Sequence, residues 1–477
     1  MPSALFTFVY SPYLLGAMLA LVFCSRSDMD FLAKVQVATV SGMASLVLVP
    51  YLGFLVWSKT GNIADFIRIV NLAAVILTLG HGLLLLRFLS SWPCMRTSSL
   101  SHIYWVSIAL YVAPAAFILI NTPTFAWDFY DLWGRRASLL ASAHSEALYA
   151  DIRYLLDSRH GMSLSAAFAW NAISMNLLGL SGSGTLGLAP ALYLLLSVTL
   201  FLMAWARQRY RNIPLEIFLV LGVLTTPLLN NHIIIYGYSE PFVFFFLMVI
   251  MLTIIDYDPG RQIISLVTVL FSLTALAMLR NTGLLYGLTA LVAWLAVYHR
   301  RFFVKTLIMM ATGAGCILFA LHTNAYLGSD GLPLFQLNLE KRQMLIFGKL
   351  LQFYSADPLH IFSNFFHSYV VKGSFGLSLL ATSTTIAFAW HTSGRSVRYD
   401  ELKPILFLAL AQLMFIAQLA VVQFTEYGFQ HSIPDNDTGL SRFSLPYLAL
   451  SAILVCEFIR LVSHKQSTVD NSEAKIH

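Results

Sequence analysis

Apolar runs long enough to cross a bilayer, roughly 20 residues each, recur from one end of the chain to the other with short polar turns between them. They fall at about 3–24, 33–57, 66–86, 101–121, 188–206, 213–230, 240–256, 262–279, 283–298, 305–322, 370–390, 403–424 and 443–463. The pattern predicts an all-α polytopic membrane protein, a single transmembrane domain over 1–463 built from about thirteen spanning helices. The first run, LFTFVYSPYLLGAMLALVFC, lacks a basic leader and a small-residue cleavage site, so it reads as a retained span. Two polar-rich segments, 122–187 and 323–369, break the rhythm. Inside the first, the apolar and roughly amphipathic stretch 161–180 is read as an interfacial helix, because a full span there would invert everything after it. The polar tail 464–477 is expected to be a disordered cytoplasmic extension.

Composition agrees: the chain is 58% hydrophobic and only 11% charged, where a soluble protein has about a quarter of its residues charged. Charge then orients the bundle. Arg26, Lys34, Arg87, Arg96, the RQRYR stretch 207–211, Arg261, Arg300, Arg301, Lys305, Arg395, Arg398 and Lys403 lie in loops on one side, and these mark the cytoplasmic face. The N-terminus is then outside and the C-terminus inside. The net charge of +6 is spread over these loops with no basic, aromatic-interleaved patch, which argues against a nucleic-acid partner. Cys24, Cys94, Cys316 and Cys456 have no metal-ligand or redox spacing and read as small buried hydrophobes.

The unusual polar residues gather on the outer face. In WDFYDLWGRRA, Asp128 and Asp131 are three apart, and so are Trp127 and Tyr130, so a helix puts each pair on one side. The aromatics suit a helix at headgroup level. There partial desolvation raises a carboxylate's pKa and makes it a better base. Arg135 and Arg136 follow and could pair with these acids or with an anionic ligand. Taken alone, an amphipathic surface helix with balanced charges is the simpler account. Farther on come Arg159 and His160 before the 161–180 segment, His232, Tyr238 and Glu240 at the mouth of two spans, Arg280 at the end of the next, and Arg442 just before the last. Ionisable groups at span ends are costly unless used or paired. Together they suggest a pocket that takes an anion and deprotonates something.

In order and topology, WDFYDLWGRRA (127–137), GYSEPF (237–242), LRNTG (279–283) and SRFSLP (441–446) resemble the motifs of the GT-C superfamily of integral-membrane glycosyltransferases. The resemblance covers roughly 100–460. It departs from the family pattern at Glu240 for an Asp, Arg280 for a Lys, and Thr282 for an acid. It implies a GT-C-like bundle with interfacial helices in the first large outer loop. Segments 122–187 and 323–369 would cover an active site on the outer, periplasmic face of a bacterial inner membrane. The implied reaction moves a sugar, with inversion, from a polyprenyl-phosphate donor to a glycan, lipid or protein acceptor. The first-loop acid would be the catalytic base; Asp128 matches the motif, and Asp131 lies one turn away. A sugar hydroxyl needs its proton accepted, and a lipid phosphate leaving group needs charge stabilisation. Arg280, Arg442, Arg159 and His160 are the phosphate-binding candidates, and Glu240, His232, Tyr238 and Trp127 the substrate-binding ones. A divalent metal is compatible with this set but not required by it. The competing readings are a polymerase or ligase of lipid-linked glycans, and a lipid or solute transporter, which would favour ionisable sites near the midplane.

Overall fold

A computed structural model describes chiefly residues 11–24, 29–60, most of 64–83, 102–121, 124–125, 133–142, 163–177, 188–224, 235–236, 238–256, 262–280, 285–298, 335–346, 349–353, 357–367, 399–425 and 450–461. The helices are α1 (Pro12–Cys24), α2 (Phe31–Thr60), α3 (His102–Asn121), α4 (Gly134–Ser142), α5 (Ser163–Leu177), α6 (Leu188–Tyr210), α7 (Ile213–Leu224), α8 (Glu240–Ile255) and α9 (Gln262–Leu279), followed by α10 (Leu285–Tyr298), α11 (Pro358–Phe365) and α12 (Tyr399–Gln423). A last helix covers 450–461. Among the described residues, three helices are long and apolar enough to cross a membrane: α2, α6 and α12. Six more are apolar but shorter. The predicted runs at 305–322 and 370–390 lie almost wholly outside the described residues.

α8 and α6 form the centre. α8 reads EPFVFFFLMVIMLTII and is buried on every side, as a helix without a polar face must be. α6 is buried from Leu188 to Ala206 except at Leu196 and Leu200. The outer helices expose single apolar side chains, such as Leu52 and Val56 on α2, Phe271 on α9 and Leu413 on α12. In a bilayer such side chains face lipid.

Because hydrocarbon is as apolar as leucine, small residues and side-chain hydrogen bonds join the helices. α1 crosses α2 with Gly16 against Ser41 and Ser45, and Gly42 beneath the ring of Tyr13. The Tyr13 ring stacks on Tyr193 of α6 at 4.1 Å, and Ser197 donates to the Tyr13 hydroxyl at 2.8 Å. α12 is tied to α10 by Gln418 donating to Thr289 and to the last helix by Gln412 donating to Ser451 at 3.2 Å.

α5, the segment read from the sequence as an interfacial helix, has residues 163–171 all buried and packs on α2, α4 and α9. Ser163, Ser165, Asn171 and Ser174 gave the segment its amphipathic look, but all four are buried, where small polar side chains permit close helix approach. The chain is also not purely helical. β1 (Thr124–Phe125) pairs in parallel with β2 (Ile235–Tyr236). β3 (Phe335–Asn338), β4 (Gln343–Ile346) and β5 (Lys349–Gln352) form an antiparallel meander within the second long segment. An isolated bridge from Phe353 to Thr425 fixes that meander to the end of α12.

Candidate functional site at one end of the bundle

α8 and α9 are packed neighbours, and the short 256–261 connection makes them antiparallel. The first residue of α8 therefore meets the residue that follows α9. The first is Glu240, with Pro241 in the first helical turn, where Pro has no amide to lose and its fixed φ suits the helix. The second is Arg280. An acid at a helix N-terminus and a cation at a C-terminus are each favoured by the helix dipole, and here they are joined in one ion pair, Arg280 Nη1 to Glu240 Oε1. Both side chains are nearly buried. Ser239 completes the group: its hydroxyl donates to Glu240 Oε2 at 3.4 Å and accepts from Arg280 Nη1 at 3.4 Å. Tyr238 is half-buried just before it.

The turn after Arg280 explains the glycine of LRNTG. The Gly283 amide donates to the Arg280 carbonyl at 3.0 Å, and a Cβ at 283 would stand 2.9 Å from the Leu276 carbonyl oxygen. Only glycine lets the chain turn that closely against the end of α9.

Two further contacts lead toward the other predicted segments. The β1–β2 pairing sets Phe125, two residues before Trp127, beside Tyr236, four residues before Glu240. Ser163, three residues after His160, donates to the carbonyl of Met278 at 2.7 Å, two residues before Arg280. The described flanks of the first-loop motif, of the Arg159–His160 pair, of GYSEPF and of LRNTG thus converge on one end of the bundle. Asp128, Asp131, Trp127, Arg159, His160, His232 and Arg442 themselves lie outside the described residues. Of the two arginines following the acids, Arg135 on α4 is exposed and Arg136 is buried with Trp133 against α5. They diverge because consecutive helical residues differ by about 100° in direction.

The opposite end carries a charged cluster that the sequence reading missed. Glu457, fully buried in the last helix, accepts from Arg209 Nε and Nη2, both at 2.9 Å, and from Arg460 at 3.2 Å. Arg209 Nη1 also reaches Asp256 at 2.9 Å, and Arg207 pairs with buried Glu216 at 3.0 Å. RQRYR is therefore more than an orientation signal: it clasps α6 to α7, α8 and the last helix. The signal for this was Glu457 itself, an acid in the apolar run AILVCEFIR, which needs a partner. Helix ends assigned by charge to one side do meet here, as in the Gln36–Gln208 hydrogen bond at 3.1 Å between the start of α2 and the end of α6. A cavity of about 90 Å³ opens beside Asp256, lined by Gln36, Trp205, Gln208, Thr253, Ser265 and Thr268.

Among the described residues no group of His, Cys, Asp and Glu is arranged to hold a metal ion. The chain matches no known family, no characterised protein and no solved structure.

Proposed function

We propose that this chain is a membrane glycosyltransferase of the GT-C type, moving a sugar from a polyprenyl-phosphate donor to an extracytoplasmic glycan, lipid or protein acceptor. The observation that carries the reading is the meeting of Glu240 and Arg280 at one end of the bundle. The flanks of the acidic first-loop motif and of Arg159–His160 are drawn to the same place by β1–β2 and by Ser163. Such a group suits a reaction that needs a cation for a phosphate and a carboxylate for a hydroxyl.

In this reading Asp128, or Asp131 one turn on, accepts the proton of the acceptor hydroxyl as the new glycosidic bond forms. The lipid phosphate departs as an anion and is met by Arg280, with Arg442, Arg159 and His160 as further donors. A guanidinium has five N–H donors, so Arg280 can hold Glu240 and a phosphate oxygen together, and Glu240 fixes its direction. The site would face the outer side of the membrane. A transporter would instead place ionisable groups near the middle of its spans; the Glu240–Arg280 pair stands where α8 begins and α9 ends.

The test is turnover of short-chain polyprenyl-phosphate sugars by the purified protein in detergent, comparing Asp128→Asn, Asp131→Asn and Glu240→Gln with melting temperature as the folding control. The reading expects one aspartate variant to stay folded, bind donor and lose turnover. Failure of the native protein to consume donor, across several sugars and acceptors, would overturn it.

A further inference from the structure

α11 lies in the second long segment and packs on α12, to whose C-terminal end the preceding meander is fixed, and its surface divides into three sectors. At roughly 100° per residue, Ile361, Phe365 and Pro358 fall on one arc. Ile361 and Phe365 are buried, at 2% and 5% exposure. Next around the helix come Phe362, Phe366 and Leu359, all apolar and all open, at 56%, 48% and 77%. The remaining arc carries His360, Ser363 and His367, exposed and polar. The apolar arc thus spans about 160°, of which only half is covered by protein. A helix packed on a soluble body would have polar residues where Phe362, Phe366 and Leu359 stand.

The helix on which α11 packs has an exposed apolar side of its own. α11 packs on α12, whose own outward side chains include Leu406, Leu413 and Val421. The adjoining meander ends its first hairpin on Leu339, which is 78% exposed and followed by exposed Glu340, Lys341 and Arg342. That turn is held near the same end of α12, because Phe353 donates its amide to the Arg342 carbonyl at 2.8 Å and bridges to Thr425. Apolar tips with flanking cations suit the boundary between acyl chains and phosphate headgroups.

We infer that α11 is an in-plane membrane anchor: Leu359, Phe362 and Phe366 enter the bilayer leaflet at this end of the bundle, His360, Ser363 and His367 face water, and the second long segment is thereby held flat on the membrane. The inference rests on the membrane character of the bundle and not on the glycosyltransferase reading.

The test places the photocrosslinking amino acid benzoylphenylalanine singly at 359, 360, 362, 363, 366 and 367 of the full chain, reconstituted in nanodiscs of phosphatidylethanolamine and phosphatidylglycerol. All six positions are exposed, so the substitutions leave the core intact, and melting temperature checks this. After illumination, intact-mass analysis is expected to show phospholipid adducts at 359, 362 and 366 and their loss at 360, 363 and 367. Absence of lipid adducts at 359, 362 and 366 would overturn the inference. So would crosslinked chain dimers at those three positions, which would assign the face to a second copy, or equal lipid adducts at all six, which would mean that the helix has no watered side.

Discussion

Replacing Glu457 by leucine removes the acceptor at the centre of the Arg209 cluster while keeping a side chain of similar size, so little cavity cost is added. In the native chain this carboxylate takes two hydrogen bonds from Arg209 at 2.9 Å and one from Arg460 at 3.2 Å, with Arg460 Nη2 in ion-pair contact at 3.1 Å. Glu457 is fully buried and the Arg209 side chain is 18% exposed, so solvent screens the pair poorly. Leaving one member of a buried pair uncompensated costs about 3–5 kcal/mol. Arg209 would keep Asp256 at 2.9 Å, which sets the expectation at the lower end, about 3 kcal/mol, or on the order of 10² in the folding equilibrium. Glu457→Gln keeps one carbonyl acceptor and should cost about 1–3 kcal/mol. Arg209→Met combined with Glu457→Leu should be less destabilising than the sum of the single changes, since neither leaves the other's charge stranded. Equilibrium unfolding in mixed micelles, titrated with sodium dodecyl sulfate and followed by circular dichroism, measures these three and Arg209→Met alone, which completes the cycle. A Glu457→Leu protein within about 0.5 kcal/mol of the parent, or additivity in the double variant, would refute the claim that this cluster clasps α6, α8 and the last helix.

Three other expectations are checked more briefly. Gly16→Ala drives a methyl group into Ser45 and the Ser41 carbonyl of α2 and should destabilise by about 1–3 kcal/mol; the same titration reads it, and a neutral result would mean that α1 and α2 sit farther apart. Arg280→Met should lower turnover on a polyprenyl-phosphate sugar by on the order of 10²–10³, the loss seen when one donor to a developing anion is removed; Arg280→Lys, which keeps the charge but not the fork, should lose less, and equal losses would make the role one of shape. Tyr13→Phe leaves buried Ser197 without the acceptor that it now reaches at 2.8 Å and should cost about 1–3 kcal/mol, seen as a lower detergent melting temperature, whereas Tyr13→Phe paired with Ser197→Ala should recover most of it.

What could be read from the chain and what could not divides along physical lines. α8 and α9 were legible because their apolar runs end on charges, and a charge at a span end is visible to any window that counts apolar residues. For the same reason Glu240 and Arg280 stood out, and antiparallel packing of consecutive helices then brings them together. Glu457 escaped because one acid within a run of about twenty apolar residues hardly moves the average, although its burial is what makes the partner necessary. The burial of the serines of α5 was not legible because amphipathicity shows that two faces differ, not what covers each: a serine-bearing face fits water and fits a neighbouring helix equally well. The two-residue strands β1 and β2 have no periodicity to detect, yet they set Phe125, just before the first-loop motif, beside Tyr236, just before GYSEPF.

These differences also bear on how the two ends of the bundle work together. At the Arg209 end, arginine and carboxylate are matched with short hydrogen bonds into a cluster spanning three helices, and α8 is held there through Asp256. At the other end the same helix begins with Glu240, which is paired with Arg280 and has Ser239 beside it. α8 is buried along its length between these points, so it has little freedom to tilt or slide. A rigid rod anchored by one charged cluster fixes where its far end lies. Glu240 is that far end, and in the proposed reaction a carboxylate that holds an arginine toward a phosphate would gain from such fixing, since electrostatic stabilisation of a developing charge depends on donors already in place. If the clasp serves this purpose, Asp256→Asn, remote from Glu240 and mild in stability, should lower turnover more than it lowers melting temperature. Loss of turnover only in step with loss of fold would confine the clasp to a structural role.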